Sequence, residues 1–220
     1  ARDLPWRHTQ EPYRIWLSEI MLQQTRVEAV KNYYARFLET FPDIAALAAA
    51  EQDQVNKCWE GLGYYSRAAN LRKAAQTIQE QYGGVFPRTW EEVRGLAGVG
   101  DYTAGAVCSI CYGLPTPAVD GNVLRVAARV MNHFCEIDRP EQKAAVTALL
   151  RQVYLDNPEH CGTLTQAFME IGATVCVPNG QPHCEACPLS ELCLGRQYCD
   201  ALRLPQRTAK KARRQEQYTV

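Results

Sequence analysis

Apolar residues recur every three to four positions along most of the chain. In "YRIWLSEIMLQQTRVEAVKNYYARFLETF" they fall at Ile15, Trp16, Ile20, Val27, Val30, Tyr34, Phe37 and Leu38, the period of one helical face. "FPDIAALAAA" opens another helix at a Pro-Asp signal, and "QDQVNKCWEGLG" ends one at glycine. "SRAANLRKAAQTIQEQYGG" runs long and stops at Gly83-Gly84, a C-terminal stop signal. Thr89 and Glu92 have the spacing of a capping box at the start of "TWEEVRGL". Helical segments follow in "YTAGAVCSICYG", "GNVLRVAARVMNHF", "EQKAAVTALLRQVYL" and "TLTQAFMEIGATVC". No segment sustains the alternation of a strand, so the pattern predicts an all-α fold of many short helices. The pattern stops after Cys199, and Pro205 to Gln217 reads as polar linker.

The 220 residues suffice for one large domain or two lobes with a core. No stretch approaches the uninterrupted apolar length that spans a bilayer. The chain opens abruptly at "ARDLPWR" and stops at "QEQYTV", so both ends read as cut. The formal charge is zero but uneven: from Arg196 onward there are seven Lys/Arg and two Asp/Glu, a +5 tail on a −5 body. Bulk charge therefore supplies no nucleic-acid footprint. Any DNA binding has to come from placed backbone amides and a few cations.

Ten cysteines change the picture. Cys58, Cys108, Cys111, Cys135, Cys161 and Cys199 are scattered, while Cys176, Cys184, Cys187 and Cys193 sit together. A secreted disulfide scaffold would be smaller and poorer in helix signals, so the count points to a reducing compartment and a metal centre. Zinc sites usually pair two short Cys-x2-Cys knuckles, and here there is one. A single loop with uneven gaps suits a [4Fe–4S] cluster better, with zinc as the alternative.

"LAGVGDYTAGAV" places Gly98, Val99 and Gly100 between two helical runs. Glycines there permit positive φ, and the amides that open the next helix make a small anion site suited to a phosphate. This is the form of a helix–hairpin–helix element, which holds a DNA backbone without reading sequence. A plain helix connection is the simpler reading of G-V-G alone.

Together, "LPWR", "PYRIWLSEIMLQQTRVEAV", "WEGLGYYSRAANL", "LAGVGDYTAGAV", "AVDGNVLRV", "FMEIGATVC" and the cysteine loop resemble the adenine DNA glycosylases, the MutY family of helix–hairpin–helix glycosylases. The resemblance runs from about Leu4 to Cys193, with one departure: the first cysteine gap is seven residues where the family usually has six. It implies a six-helix barrel lobe at 9–115 that carries the hairpin, and an iron–sulfur lobe from 1–8 and 116–200. A basic linker at 201–220 would lead toward a further Nudix-like domain. It implies removal of adenine mispaired with 8-oxoguanine or guanine in duplex DNA, by an intracellular, DNA-associated monomer with no membrane partner. The compartment would be a bacterial nucleoid or a nucleus. A chain lacking the further domain would discriminate 8-oxoguanine from guanine less well.

By that resemblance Glu19 is the general acid that protonates adenine, and Asp120 the carboxylate that stabilises or captures C1′ of the sugar. Asn122 hydrogen-bonds within the same site. Taken singly, Glu19 is an acid on an amphipathic helix and Asp120 a helix cap before Gly121. Tyr102 stands where lyase relatives such as endonuclease III carry a lysine, and a phenol forms no Schiff base. The phenol is expected to bond Asp120 or the sugar. Trp6, Arg7, Leu22, Gln166 and Met169 match the pocket for the flipped adenine, and Gln24 and Tyr64 the residues that fill the gap it leaves. Cys176, Cys184, Cys187 and Cys193 match the cluster ligands. The rival readings are a thymine mismatch glycosylase of the same fold, an endonuclease III-like lyase, a non-catalytic iron–sulfur DNA-binding module and a zinc-stabilised domain.

Overall fold

The computed structural model describes residues 2–208. Residues 209–220, with "QYTV" and most of the expected basic linker, lie outside the described residues. The described part contains no strand, and its one isolated bridge joins Glu136 to Gln206. Eleven α-helices are present among these residues: α1 Pro12–Leu22, α2 Val27–Thr40, α3 Ile44–Ala49, α4 Gln52–Trp59, α5 Ser66–Gln81, α6 Trp90–Gly95, α7 Asp101–Tyr112, α8 Gly121–Val130, α9 Pro140–Leu155, α10 Cys161–Glu170 and α11 Leu194–Gln197. A π-helical turn, Ile171–Val175, follows α10. The all-α expectation holds.

The chain divides into two compact units. One comprises residues up to Asp120 together with Thr147–Glu170; the other comprises Gly121–Val146 and the residues from Ile171 on. In the first unit α1 is central. Glu11 caps it by accepting from the amides of Tyr13 and Arg14, and Pro12 fits the first turn. Every residue from Ile15 to Met21 is buried. A helix apolar on nearly all sides belongs inside a core, and α2, α5 and α7 pack against it. Trp16 and Leu17 are fully buried there.

The periodic run over 13–41 is two helices. α1 ends at Leu22 and α2 starts at Val27, with Gln24 in the left-handed region at φ 56° between them. Periodicity could not show this break, because its cause lies far along the chain. The buried guanidinium of Arg67 takes the carbonyls of Ile20, Met21 and Gln23, which a continuing helix would have used itself.

Local signals fixed other boundaries. Asp43 caps α3 through the amide of Ala46, and the Thr89–Glu92 capping box opens α6. α6 and α7 form the hairpin. Its turn closes with the Val99 amide on the Leu96 carbonyl at 3.1 Å, and Gly98 has φ 74°. A Cβ on Gly98 would lie 2.8 Å from Cβ of Asn70 on α5. Arg94 bonds both the Val99 carbonyl and the Asp101 carboxylate. α7 reaches α10 through a buried hydroxyl chain: Ser109 to Thr165 at 2.7 Å, and Tyr154 to Thr165 at 2.9 Å.

In the second unit, α8 carries buried Val123, Leu124 and Val126 alongside buried Arg125 and Arg129. Buried charges persist only when hydrogen-bonded. Arg125 donates to the carbonyls of Cys176 and Gly172 and to Asn122, and Arg129 to the carbonyls of Val177 and Leu204. The start of the expected linker is therefore not free. Leu204 is buried, and the Ile137 amide bonds the Gln206 carbonyl. The resemblance places the linker from residue 201 and composition from Pro205, and a single buried leucine gives no period that would mark Leu204 as held.

Candidate active site

Glu19, Tyr102, Arg7 and Asp120 belong to the first unit and share one electrostatic environment. The central position of α1 buries the Glu19 carboxyl. Burial raises its pKa, Tyr102 and Arg7 pull it down, and Asp120 pushes it up, leaving it at about 7. Tyr102, in the first turn of α7, donates its phenol to Glu19. Burial, followed by the charges of Glu19 and Asp120, holds that phenol well above its ordinary pKa, so it stays a donor. The expectation for Tyr102 named Asp120 or the sugar. Its bond to Glu19 arises because α1 and α7 pack directly.

Arg7 ends the short turn Pro5–Arg7. Its guanidinium reaches the Gln166 carbonyl at 3.2 Å, the Gln166 side chain at 3.5 Å and the Glu170 carboxylate at 3.4 Å. Arg2 grips the same carboxylate with two nitrogens at 3.0 Å. Burial alone would raise Glu170, but the hydrogen bonds from Arg2 and the charges of Arg2 and Arg7 hold it below its usual range. Burial lowers Arg7, opposed by Glu170 and Glu19. Trp6 is buried edge-on against Tyr34 at 5.4 Å. Leu22 and Met169 pack partly buried on the core. Gln166 and Glu170 are one turn apart on α10, so Arg7 bonds both.

Sequence reading missed Glu170, Arg2 and Arg67. Gln166 and Glu170 stand four apart in a helical segment, a spacing that indicates a shared face but not its partner. Nothing local to Arg67 connects it to residues more than forty positions earlier.

Gln24 and Tyr64 are exposed and both lie in the left-handed region, at φ 56° and 48°. Gly98 and Gly100 are exposed at the hairpin, whereas the Val99 side chain is buried and its amide is used within the turn. Asn122 belongs to the second unit, where it accepts from Arg125 at 2.9 Å and packs on Gly172.

Cys176, Cys184, Cys187 and Cys193 line one cavity of the second unit, together with Val126, Arg129 and Leu189. Arg129 donates to Cys176 Sγ at 3.3 Å, and Cys193 Sγ donates to the Arg129 carbonyl at 3.4 Å. Among the described residues no three His, Cys, Asp or Glu side chains converge on a point that could hold one metal ion.

The sequence matches the family described as HhH-GPD superfamily base excision DNA repair protein over residues 17–152. It is 43% identical over 205 residues to the adenine DNA glycosylase of Homo sapiens, covering 89% of this chain and 37% of that protein. Against the adenine DNA glycosylase of Schizosaccharomyces pombe it is 40% identical, covering 92% and 45%. The chain thus spans less than half the length of these two relatives. A solved thermostable thymine-DNA glycosylase superposes with a TM-score of 0.79 at 30% identity, covering 90% of each chain. A non-covalent endonuclease III–DNA complex superposes with a TM-score of 0.70 at 24% identity, covering 87% and 89%, and shares the fold. With the family match extending from α1 into α9 and the helical hairpin in place, the chain belongs to the HhH-GPD superfamily of base excision DNA repair proteins.

Proposed function

We propose that the chain is an intracellular, DNA-associated N-glycosylase that removes adenine mispaired with 8-oxoguanine or guanine and leaves the strand uncut. The observation that carries this reading is the buried Glu19 carboxyl, with a pKa of about 7, bonded to Tyr102 and within the field of Asp120. A group near neutrality can deliver a proton and later accept one.

Glu19 protonates adenine at N7. The C1′–N9 bond then breaks with its electron pair passing to the base, and the positive charge left on the sugar is stabilised by the Asp120 carboxylate. Water adds to C1′ and gives its proton to the Glu19 carboxylate. Tyr102 holds Glu19 in place and offers no amine, so no Schiff base forms and no strand scission follows. Arg7, fixed by Glu170, lines the base pocket with Trp6, Leu22, Gln166 and Met169. Gln24 and Tyr64 enter the duplex where the adenine leaves. Amides at Gly98–Gly100 other than the closed Val99 amide take the DNA backbone.

The four cysteines fit a [4Fe–4S] cluster. A single zinc, about 2.3 Å from each sulfur, is the alternative occupant of the same thiols. Four thiols on one loop with a single Cys-x2-Cys pair line one cavity, which favours the cluster, and Arg129 supplies a donor to Cys176 Sγ. When bound, the cluster cross-links the loop. The barrel and hairpin lobe is then 9–115 and the cluster lobe 1–8 and 116–200, the four cysteines falling in the second unit.

The likeness to a thymine-DNA glycosylase supports a second reading, in which thymine is the base removed. A strand-scission assay decides. Duplexes with adenine opposite 8-oxoguanine or guanine, and with thymine opposite guanine, are incubated with the protein, then with and without alkali. Scission of the adenine strand only after alkali supports the proposal. Scission without alkali refutes the assignment of Tyr102, and release of thymine alone refutes the adenine assignment.

A further inference from the structure

Gln24 and Tyr64, both exposed and both with positive φ, are forty positions apart, yet one buried side chain holds both loops. Arg67, only 7% exposed, donates from Nη1 to the carbonyls of Ile20, Met21 and Gln23 at 3.0, 2.9 and 2.7 Å. From Nη2 it donates to Thr25 Oγ1 at 3.2 Å and to the carbonyls of Leu62 and Gly63 at 3.0 and 3.2 Å. Its guanidinium lies 5.2 Å from the Trp59 ring and 5.7 Å from the Tyr64 ring. Trp59 Nε1 adds a bond to the Gly63 carbonyl at 3.0 Å.

Left-handed backbone at a non-glycine residue persists only where its surroundings over-determine it. The carbonyls flanking Gln24 and Tyr64 converge on the same planar fork. A lysine ammonium has three donors at a single point and cannot reproduce that fork. We propose that Arg67 is a positioning residue that couples the Gln24 and Tyr64 loops into one rigid element entering the duplex. The proposal rests on the functional reading above.

The test uses Arg67→Lys and Arg67→Met in the whole chain. Adenine release is followed in single turnover on a duplex with 2-aminopurine beside the target adenine, whose fluorescence rises as the base leaves the stack. Binding is measured separately to a duplex carrying a tetrahydrofuran abasic analogue, where no base has to be extruded. Both variants are expected to lose at least tenfold in release rate, with a matching loss of the fluorescence rise. Binding to the abasic duplex should stay within threefold of wild type. Equal losses in extrusion and abasic binding would mean general damage and overturn the proposal, as would a lysine variant equal to wild type. Wild-type protein that releases no adenine overturns the functional reading and the proposal with it, a result distinct from either. Should the Arg67 variants fail to fold, Thr25→Val removes the Nη2 contact to one loop together with the hydroxyl's own bond to the Gln23 carbonyl, while Thr25→Ser keeps both and should match wild type. About a threefold loss of the same fluorescence rise is then expected of the valine variant, and no loss overturns the proposal.

Discussion

Replacing Glu19 by Gln should make the protein more stable while abolishing its chemistry. The ordinary pKa of this carboxyl is 4.5, and in the fold it is about 7. Between those values the unfolded chain has released a proton that the folded chain keeps, so stability falls as pH rises through this window and is flat above it. Each tenfold in the acid constant is about 1.4 kcal/mol, which makes the full loss about 3 kcal/mol. About 1 kcal/mol is already gone at about pH 5, leaving about 2–3 kcal/mol to appear by about pH 8.5. Glutamine keeps an oxygen to accept from Tyr102 and carries no charge, so it avoids this loss. Urea unfolding of wild type and variant at the two pH values should show the variant gaining about 2–3 kcal/mol relative to wild type on the alkaline side. For a chain of this size that corresponds to about 5–10 °C in Tm. Base release should fall by about 100-fold or more, the usual contribution of a general acid. A stability difference that does not change with pH would refute a protonatable buried Glu19, whatever the activity does.

Tyr102→Phe removes the hydrogen bond that lowers the Glu19 pKa. The alkaline limb of the pH–rate profile should move up by about half to one pH unit, and a limb that stays or moves down would contradict the bond. Gly105→Ala puts a Cβ 2.7 Å from the Pro117 carbonyl oxygen, a backbone atom that cannot swing aside. About 1–3 kcal/mol of destabilisation is expected in thermal or urea melts. Cys187→Ser should lower the iron content and visible absorbance of the purified protein; unchanged iron per chain would show that Cys187 is not a ligand.

Much of the fold was legible locally. The Thr89–Glu92 box, the Asp43 cap and the Gly83-Gly84 stop act over three or four residues, so the sequence carries them complete. The all-α class followed from the helical period, which burial of one face imposes. The cysteine spacing likewise placed four thiols on one short loop, and they do line one cavity.

Tertiary structure decided what depends on distant partners. The break between α1 and α2 exists because Arg67 takes carbonyls that the run itself would otherwise have used. Arg7 is aimed by Glu170, and Glu170 by Arg2, an ion-pair chain that joins the two ends of the first unit. Residues 201–207 read as linker because neither Leu204 nor Gln206 announces the partner on α8 or at Ile137 that holds it. The proton affinity of Glu19 divides the same way. The sequence determined that a carboxyl stands in an apolar helix. Only packing decided that this helix would be central, that Tyr102 would donate to the carboxyl and that Asp120 would oppose its charge. A pKa is the balance of burial against nearby charge, and those terms are set by residues brought together from across the chain.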